Sequence, residues 1–145
     1  MNNETPRPTE ILLVEDNPAD IRMMREALWL AEIPHHLSVA TDGEEAMMFM
    51  RREGRFSDAP RPDIVLLDIK LPRLSGHSVL AAIRNTPNLR DIPVMMMTSS
   101  SAPQDRTVSE YLHATHYVTK PVGLYTLAGE IKIIEGLVNR SRNSS

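Results

Sequence analysis

The sequence predicts an open, doubly wound α/β fold, a parallel sheet of five short strands with helices on both faces. Two observations carry the prediction. Short apolar runs without polar alternation, which is how strands covered on both sides read, take turns with stretches whose apolar residues recur at helical spacing. The chain has 145 residues, 41% hydrophobic and 24% charged, which suits one domain around a single buried core and leaves no room for a second.

Each element can be placed in order. The first strand is Ile11-Leu12-Leu13-Val14. Asn17 and Pro18 then supply an N-cap and a favourable first helical residue, Ile21, Met24, Leu28 and Ala31 share one helix face, and Pro34 marks the stop. A second strand over residues 37–40 leads to Asp42 and Glu45, spaced as a capping box, and to a helix carrying Ala46, Phe49 and Met50 with Gly54 near its end. Ile64-Val65-Leu66-Leu67 is the third strand, and a helix over about residues 78–85 precedes Pro87 and Pro93. The fourth strand, residues 94–97, carries Met95-Met96-Met97 as buried filling. Between Pro103 and Ala114 the chain is rich in Ser, Thr and Asp, so this helix has the weakest signal and the least rigid backbone. Residues 117–119 close the sheet, and Leu124, Leu127, Ala128, Ile131, Ile134 and Val138 recur at helical spacing in the last helix. The polar residues 1–9 and 140–145 are expected to be flexible tails around a domain of residues 10–139.

Composition narrows the function. Sixteen basic residues against nineteen acidic ones give a net charge of −3, and no Lys/Arg stripe marks a nucleic-acid surface. Without cysteine there is no disulfide, thiolate zinc site or cysteine nucleophile. No apolar run is long enough to span a bilayer and no hydrophobic leader opens the chain, so a cytoplasmic protein without a membrane partner is expected. His35 and His36 are adjacent and point apart, and His113 and His116 lack further ligands, so no histidine metal site is expected. Arg51-Arg52 reads as a charge pair at a helix end.

The informative feature is where the apolar runs stop. They end at Glu15-Asp16, Asp68, Thr98 and Lys120, and in a parallel sheet these ends share one edge, where open α/β sheets bind their ligands. Three carboxylates brought together repel one another and call for a cation, and oxygen ligation with room for water suits Mg²⁺ or Mn²⁺. An aspartate beside such a cation can attack phosphorus, with Lys120 and Thr98 placed to hold phosphoryl oxygens.

Four segments carry a resemblance: residues 11–17, Ile11-Leu12-Leu13-Val14-Glu15-Asp16-Asn17; residues 63–76, from Asp63 through Asp68-Ile69-Lys70-Leu71-Pro72 to Gly76; residues 93–100; and residues 117–121, ending Lys120-Pro121. In that order and spacing the chain resembles the receiver domain of two-component response regulators. Gly43-Glu44-Glu45-Ala46, Pro87-Asn88-Leu89-Arg90-Asp91-Ile92-Pro93 and Thr98-Ser99-Ser100 resemble most the small stand-alone regulators paired with bacterial phytochrome histidine kinases. The resemblance implies a flavodoxin-like receiver fold with strand order 2-1-3-4-5. It implies that Asp68 is the phosphoacceptor, that Asp16, Asp68 and the backbone carbonyl of Lys70 hold Mg²⁺ with Glu15 acting through water, and that Thr98 and Lys120 contact the phosphoryl group. It further implies a switch made of Thr98 and Tyr117, a cis peptide at Lys120-Pro121 and a homodimer. Lys70 and Ser100, two residues beyond Asp68 and Thr98, are expected to tune phosphoryl lifetime. Two departures stand out: His113-Ala114-Thr115-His116 replaces the family's usual glycine-containing turn, and Lys70 puts a charge where many members have none.

The implied function is a single-domain response regulator, a phosphoacceptor rather than a metabolic enzyme, that takes a phosphoryl group from a sensor histidine kinase, phytochrome-type included, and signals through a phosphorylation-dependent protein contact. A receiver-like adaptor that works without phosphorylation is one alternative. A Mg²⁺-dependent phosphohydrolase with an aspartate nucleophile is another, but it needs a second aspartate where Lys70 stands.

Overall fold

The computed structural model describes residues 7–99 and 102–143. Its elements run β1 (Thr9–Val14), α1 (Pro18–Leu30), β2 (His35–Ala40), α2 (Gly43–Arg51), β3 (Ile64–Asp68), α3 (Gly76–Arg84), β4 (Val94–Thr98), α4 (Pro103–Tyr111), β5 (His116–Thr119) and α5 (Leu124–Asn143), with one 3-10 turn at Gly54–Phe56. The five strands are parallel in the order β2-β1-β3-β4-β5. The expected fold class and strand order both hold.

Period-two alternation divides the strands between two core layers. Ile11, Leu13, Ile64, Leu66, Met95 and Met97 pack with Met24, Ala27 and Leu28 of α1 and Leu127, Ile131 and Ile134 of α5. Leu12, Val14, Val65, Leu67, Val94 and Met96 face Ala46, Phe49 and Met50 of α2 and Val79, Leu80 and Ile83 of α3. Both layers are closed over the three central strands, so residues 11–14, 64–67 and 94–97 are apolar throughout and the polar residues that follow them stand out. Among the described residues no helix is long and apolar enough to cross a membrane.

The helix caps follow the local sequence. Asn17 Oδ1 accepts from the Ala19 and Asp20 N–H groups, and Asp42 Oδ1 accepts from the Glu45 N–H while Glu45 reaches back to the Thr41 N–H. α3 starts at Gly76 rather than near residue 78, because Ser75 caps it by accepting from the Ser78 N–H.

Strands extend past the expected ends because backbone pairing is indifferent to side-chain polarity. Thr9 pairs with His35, Asp68 with Met97, and Thr98 with Thr119. The expected N-terminal tail of residues 1–9 therefore yields Thr9 to β1, and residues 1–6 lie outside the described residues. The expected C-terminal tail also loses ground: α5 continues to Asn143, since neither proline nor glycine follows Gly136 to stop it. The turn lacking the family's glycine is made by His113 itself, at φ 64°, with Arg84 donating to the His113, Arg90 and Ile92 carbonyls to hold it. Burial pulls the Arg84 guanidinium pKa down, opposed by the charge of Asp91.

Candidate functional site

The carboxyl ends of β1, β3, β4 and β5 open onto a cleft of about 480 Å³ whose polar wall includes Glu15, Asp16, Asp20, Asp68, Lys70 and Lys120. Glu15 still pairs with the sheet, its N–H donating to the Ala40 carbonyl at 3.0 Å, so its side chain is drawn inside. Its Oε2 accepts from the Asp16 and Asn17 N–H groups at 3.1 and 3.2 Å. Asp16 itself is exposed, on the turn into α1. Asp68 ends β3, with Oδ1 accepting from the Lys70 N–H at 3.1 Å. Beneath it, Gly76 passes so close that a Cβ there would lie 2.1 Å from the Asp68 carbonyl oxygen. Only glycine lets α3 start where it does.

Lys120 comes from the other side. Its backbone N–H donates to the Thr98 carbonyl at 2.7 Å, its bond to Pro121 is cis, and its Nζ donates to Glu15 Oε1 at 2.7 Å, Asp20 Oδ2 at 2.9 Å and Asp68 Oδ2 at 3.0 Å. Burial alone would pull this ammonium's pKa down; the bonds to Glu15, Asp20 and Asp68 outweigh it and hold the pKa well above the ordinary lysine value. Glu15 is pushed up from its ordinary value, because burial outweighs the bond from Lys120 and the Asp68 charge adds to the push. The two shifts have different origins: the buried glutamate is governed by desolvation, the lysine by three anionic partners.

Glu15, Asp16 and Asp68 each offer a carboxylate oxygen, and these atoms lie within 4.8 Å of one another. With Asp20, four carboxylates line the cleft against the two ammonium groups of Lys70 and Lys120, an excess of negative charge that a divalent cation relieves. The donors are all oxygen, which fits Mg²⁺ or Mn²⁺ and not a thiolate or imidazole metal. Thr98 is fully buried at the end of β4. Tyr117, on β5, is partly buried, and the Arg106 guanidinium of α4 lies 5.4 Å from its ring centroid. Burial pushes the Tyr117 phenol pKa up, reinforced by Asp105 and opposed by Arg106.

Glu15, Asp16, Asp68, Lys70 and Lys120 therefore share one cleft, with Thr98 behind it and Tyr117 toward α4; Ser100 lies outside the described residues. The histidines have separate partners: His35 bonds the Ile33 carbonyl, His36 bonds Glu10, His116 bonds Glu130, and His77 bonds Ser109. Sequence reasoning missed Asp20 and Arg84, and it marked Gly76 without the reason for it, the nearby Asp68 carbonyl. Asp20 reads from the sequence as an acidic residue in the first turn of a helix, and its partner lies 100 residues away.

The profile of the response regulator receiver domain matches residues 11–132. Response regulator Rcp1 of Synechocystis sp. is 39% identical over 137 residues, which cover 94% of this chain and 91% of that protein. Its Mn²⁺-bound structure superposes with a TM-score of 0.78 at 40% identity, covering 90% of this chain and 91% of that one. The phosphorylated cyanobacterial phytochrome response regulator RcpA gives a TM-score of 0.79 at 41% identity, covering 90% and 91%. The bacteriophytochrome response regulator RtBRR gives 0.78 at 35% identity, covering 88% and 78%.

Proposed function

The chain belongs to the response regulator receiver family, and from that membership we propose that it is switched by phosphorylation of Asp68. A sensor histidine kinase is the donor. An Asp68 carboxylate oxygen attacks the phosphorus of its phosphohistidine, the new P–O bond forms as the P–N bond breaks, and the imidazole leaves with the electron pair and takes up a proton. Asp16, the Asp68 side chain and the Lys70 carbonyl are the groups that would hold Mg²⁺, with Glu15 acting through water; Mn²⁺ suits the same oxygens, as the Mn²⁺-bound form of Rcp1 supports. When bound, the cation supplies positive charge against the phosphoryl oxygens. Lys120 adds an ammonium beside the acceptor, and Thr98 offers a hydroxyl to the phosphoryl group. That draw on Thr98, one strand away from Tyr117, frees the ring to move and α4 to follow, a shift between two packings of one fold.

The observation that carries this reading is the grouping of Asp68 with Glu15, Asp16 and the Lys120 ammonium at one sheet edge. Lys70, exposed beside Asp68, and Ser100 set the phosphoryl lifetime in this reading. Similarity to phytochrome response regulators supports a phytochrome-type kinase as partner, and exposed Val108, Tyr111 and Tyr125 on α4 and α5 support a homodimer through that face. The protein so read is a cytoplasmic signalling module of residues 10–139, acting on no metabolite and binding neither nucleic acid nor membrane. The adaptor and phosphohydrolase alternatives are not favoured: the acidic cluster and Lys120 are intact, and Lys70 holds the place of the phosphohydrolase's second aspartate.

Intact mass spectrometry after incubation with Mg²⁺ and acetyl phosphate tests the reading. It expects a gain of one phosphoryl group that is lost without Mg²⁺ and in Asp68→Asn. A gain that survives Asp68→Asn, or no gain in the unsubstituted protein, overturns it.

A further inference from the structure

An ammonium has three N–H bonds to give, and Lys120 gives all three, to Glu15, Asp20 and Asp68. Two of these acceptors also belong to the cluster that can hold a divalent cation; Asp20 does not. An ammonium and a divalent cation contending for the same oxygens repel each other, so loading the cluster requires Lys120 to loosen its hold on Glu15 and Asp68. It needs an anion to keep, because its side chain is only 16% exposed.

Asp20 is built for that part. It stands in the first turn of α1, its own N–H held by Asn17 Oδ1 at 3.2 Å. Its side chain is 37% exposed, against 2% for Glu15 and 10% for Asp68, so it meets Nζ from the open side of the cleft. We propose that Asp20 is a positioning residue: the seat onto which Lys120 withdraws when a cation enters the Glu15-Asp16-Asp68 cluster, and from which its ammonium is presented to the phosphoryl group. The inference rests on reading that cluster as the metal site. It makes the Asp20-Lys120 pair stronger in the metal-loaded protein than in the free one, so removing Asp20 weakens metal binding through Lys120 and not merely through lost charge.

A double-substitution cycle on Mn²⁺ affinity, read by electron paramagnetic resonance of the free ion, separates the two. Asp20→Asn is expected to weaken Mn²⁺ binding about fivefold in the presence of Lys120 and less than about twofold in a Lys120→Met background, with Asp20→Glu restoring most of the loss. The same factor in both backgrounds means that Asp20 acts only through its field, and overturns the proposal. Should Lys120→Met not fold, the side-chain ammonium spectrum of ¹⁵N-lysine protein decides: the chain has only Lys70, Lys120 and Lys132 to assign. In the Mg²⁺-loaded protein a slowly exchanging Lys120 signal is expected, and it disappears in Asp20→Asn; a signal indifferent to Asp20 overturns the proposal. Failure of the unsubstituted protein to bind Mn²⁺ overturns the metal reading and the inference with it, whereas binding without coupling overturns the inference alone.

Discussion

α5 and α4 flank the last strand and are held by different forces. α5 buries Leu127, Ala128, Ile131, Ile134 and Val138 against the sheet and α1. α4 buries Ser109 alone, whose hydroxyl donates to the Asp105 carbonyl and accepts from His77 Nε2–H on α3. Its first turn has no side-chain cap, and its outward residues include Tyr111 and Val108. One helix is fixed by apolar area, the other by a few polar bonds that can be exchanged for others at little cost. The acidic cleft takes Leu127 of α5 and the first turns of α1 into its walls, while Thr98 and Tyr117 lead from the sheet edge toward α4. A change of charge at Asp68 therefore meets a rigid side and a yielding one.

The largest expected effect tests the rigid side. Ile131→Ala should cost about 3 kcal/mol in urea unfolding, while Val108→Ala on α4 should cost less than about 0.5 kcal/mol. Comparable losses would erase the contrast between the helices.

Next comes the cleft itself. Lys120→Met leaves Glu15 buried with no cationic partner, and should cost the metal-free protein about 2–3 kcal/mol. The pH dependence has a definite sign. Lys120's pKa is raised on folding, so its contribution is present through neutral pH and is lost as pH climbs above the ordinary lysine value of about 10.5 toward the folded one. The buried Glu15 works the other way, its raised pKa costing stability once pH exceeds its ordinary value. Alkaline destabilisation of the metal-free protein should therefore set in above about pH 10.5, and Lys120→Met should lose that step.

Two smaller effects sharpen the picture of α4. Ser109→Ala removes both polar bonds of its one buried residue and should cost about 1 kcal/mol, with faster hydrogen exchange in α4 and none in α5. His113→Gly should stabilise by about 0.5 kcal/mol, because φ 64° costs glycine little and Arg84 bonds the backbone carbonyl rather than the imidazole. A loss of stability there would show that the imidazole does more than tolerate the turn.

The contrast also explains what could be read from the sequence. Strands such as Ile64-Val65-Leu66-Leu67 announce themselves because both faces are buried, and the cleft residues because they interrupt such runs. The weak signal of α4 is the physical weakness itself: Ser, Thr and Asp where α5 has Ile and Leu. What escaped was whatever depends on distant backbone. Thr9 joins β1 through pairing with His35, Gly76 is required by the Asp68 carbonyl, Arg84 looks like a helix-end charge but holds the His113 turn, and Asp20 finds Lys120 only after folding.

The most direct measurement is hydrogen exchange of the Mg²⁺-loaded protein with and without beryllofluoride, a phosphoryl mimic, with Asp68→Asn as control. Beryllofluoride should change protection across α4 and β5, residues 103–119, and leave α1 and the buried half of α5 as they were, with no response in Asp68→Asn. Bound beryllofluoride with α4 unchanged, or with α1 changed as much as α4, would contradict the account.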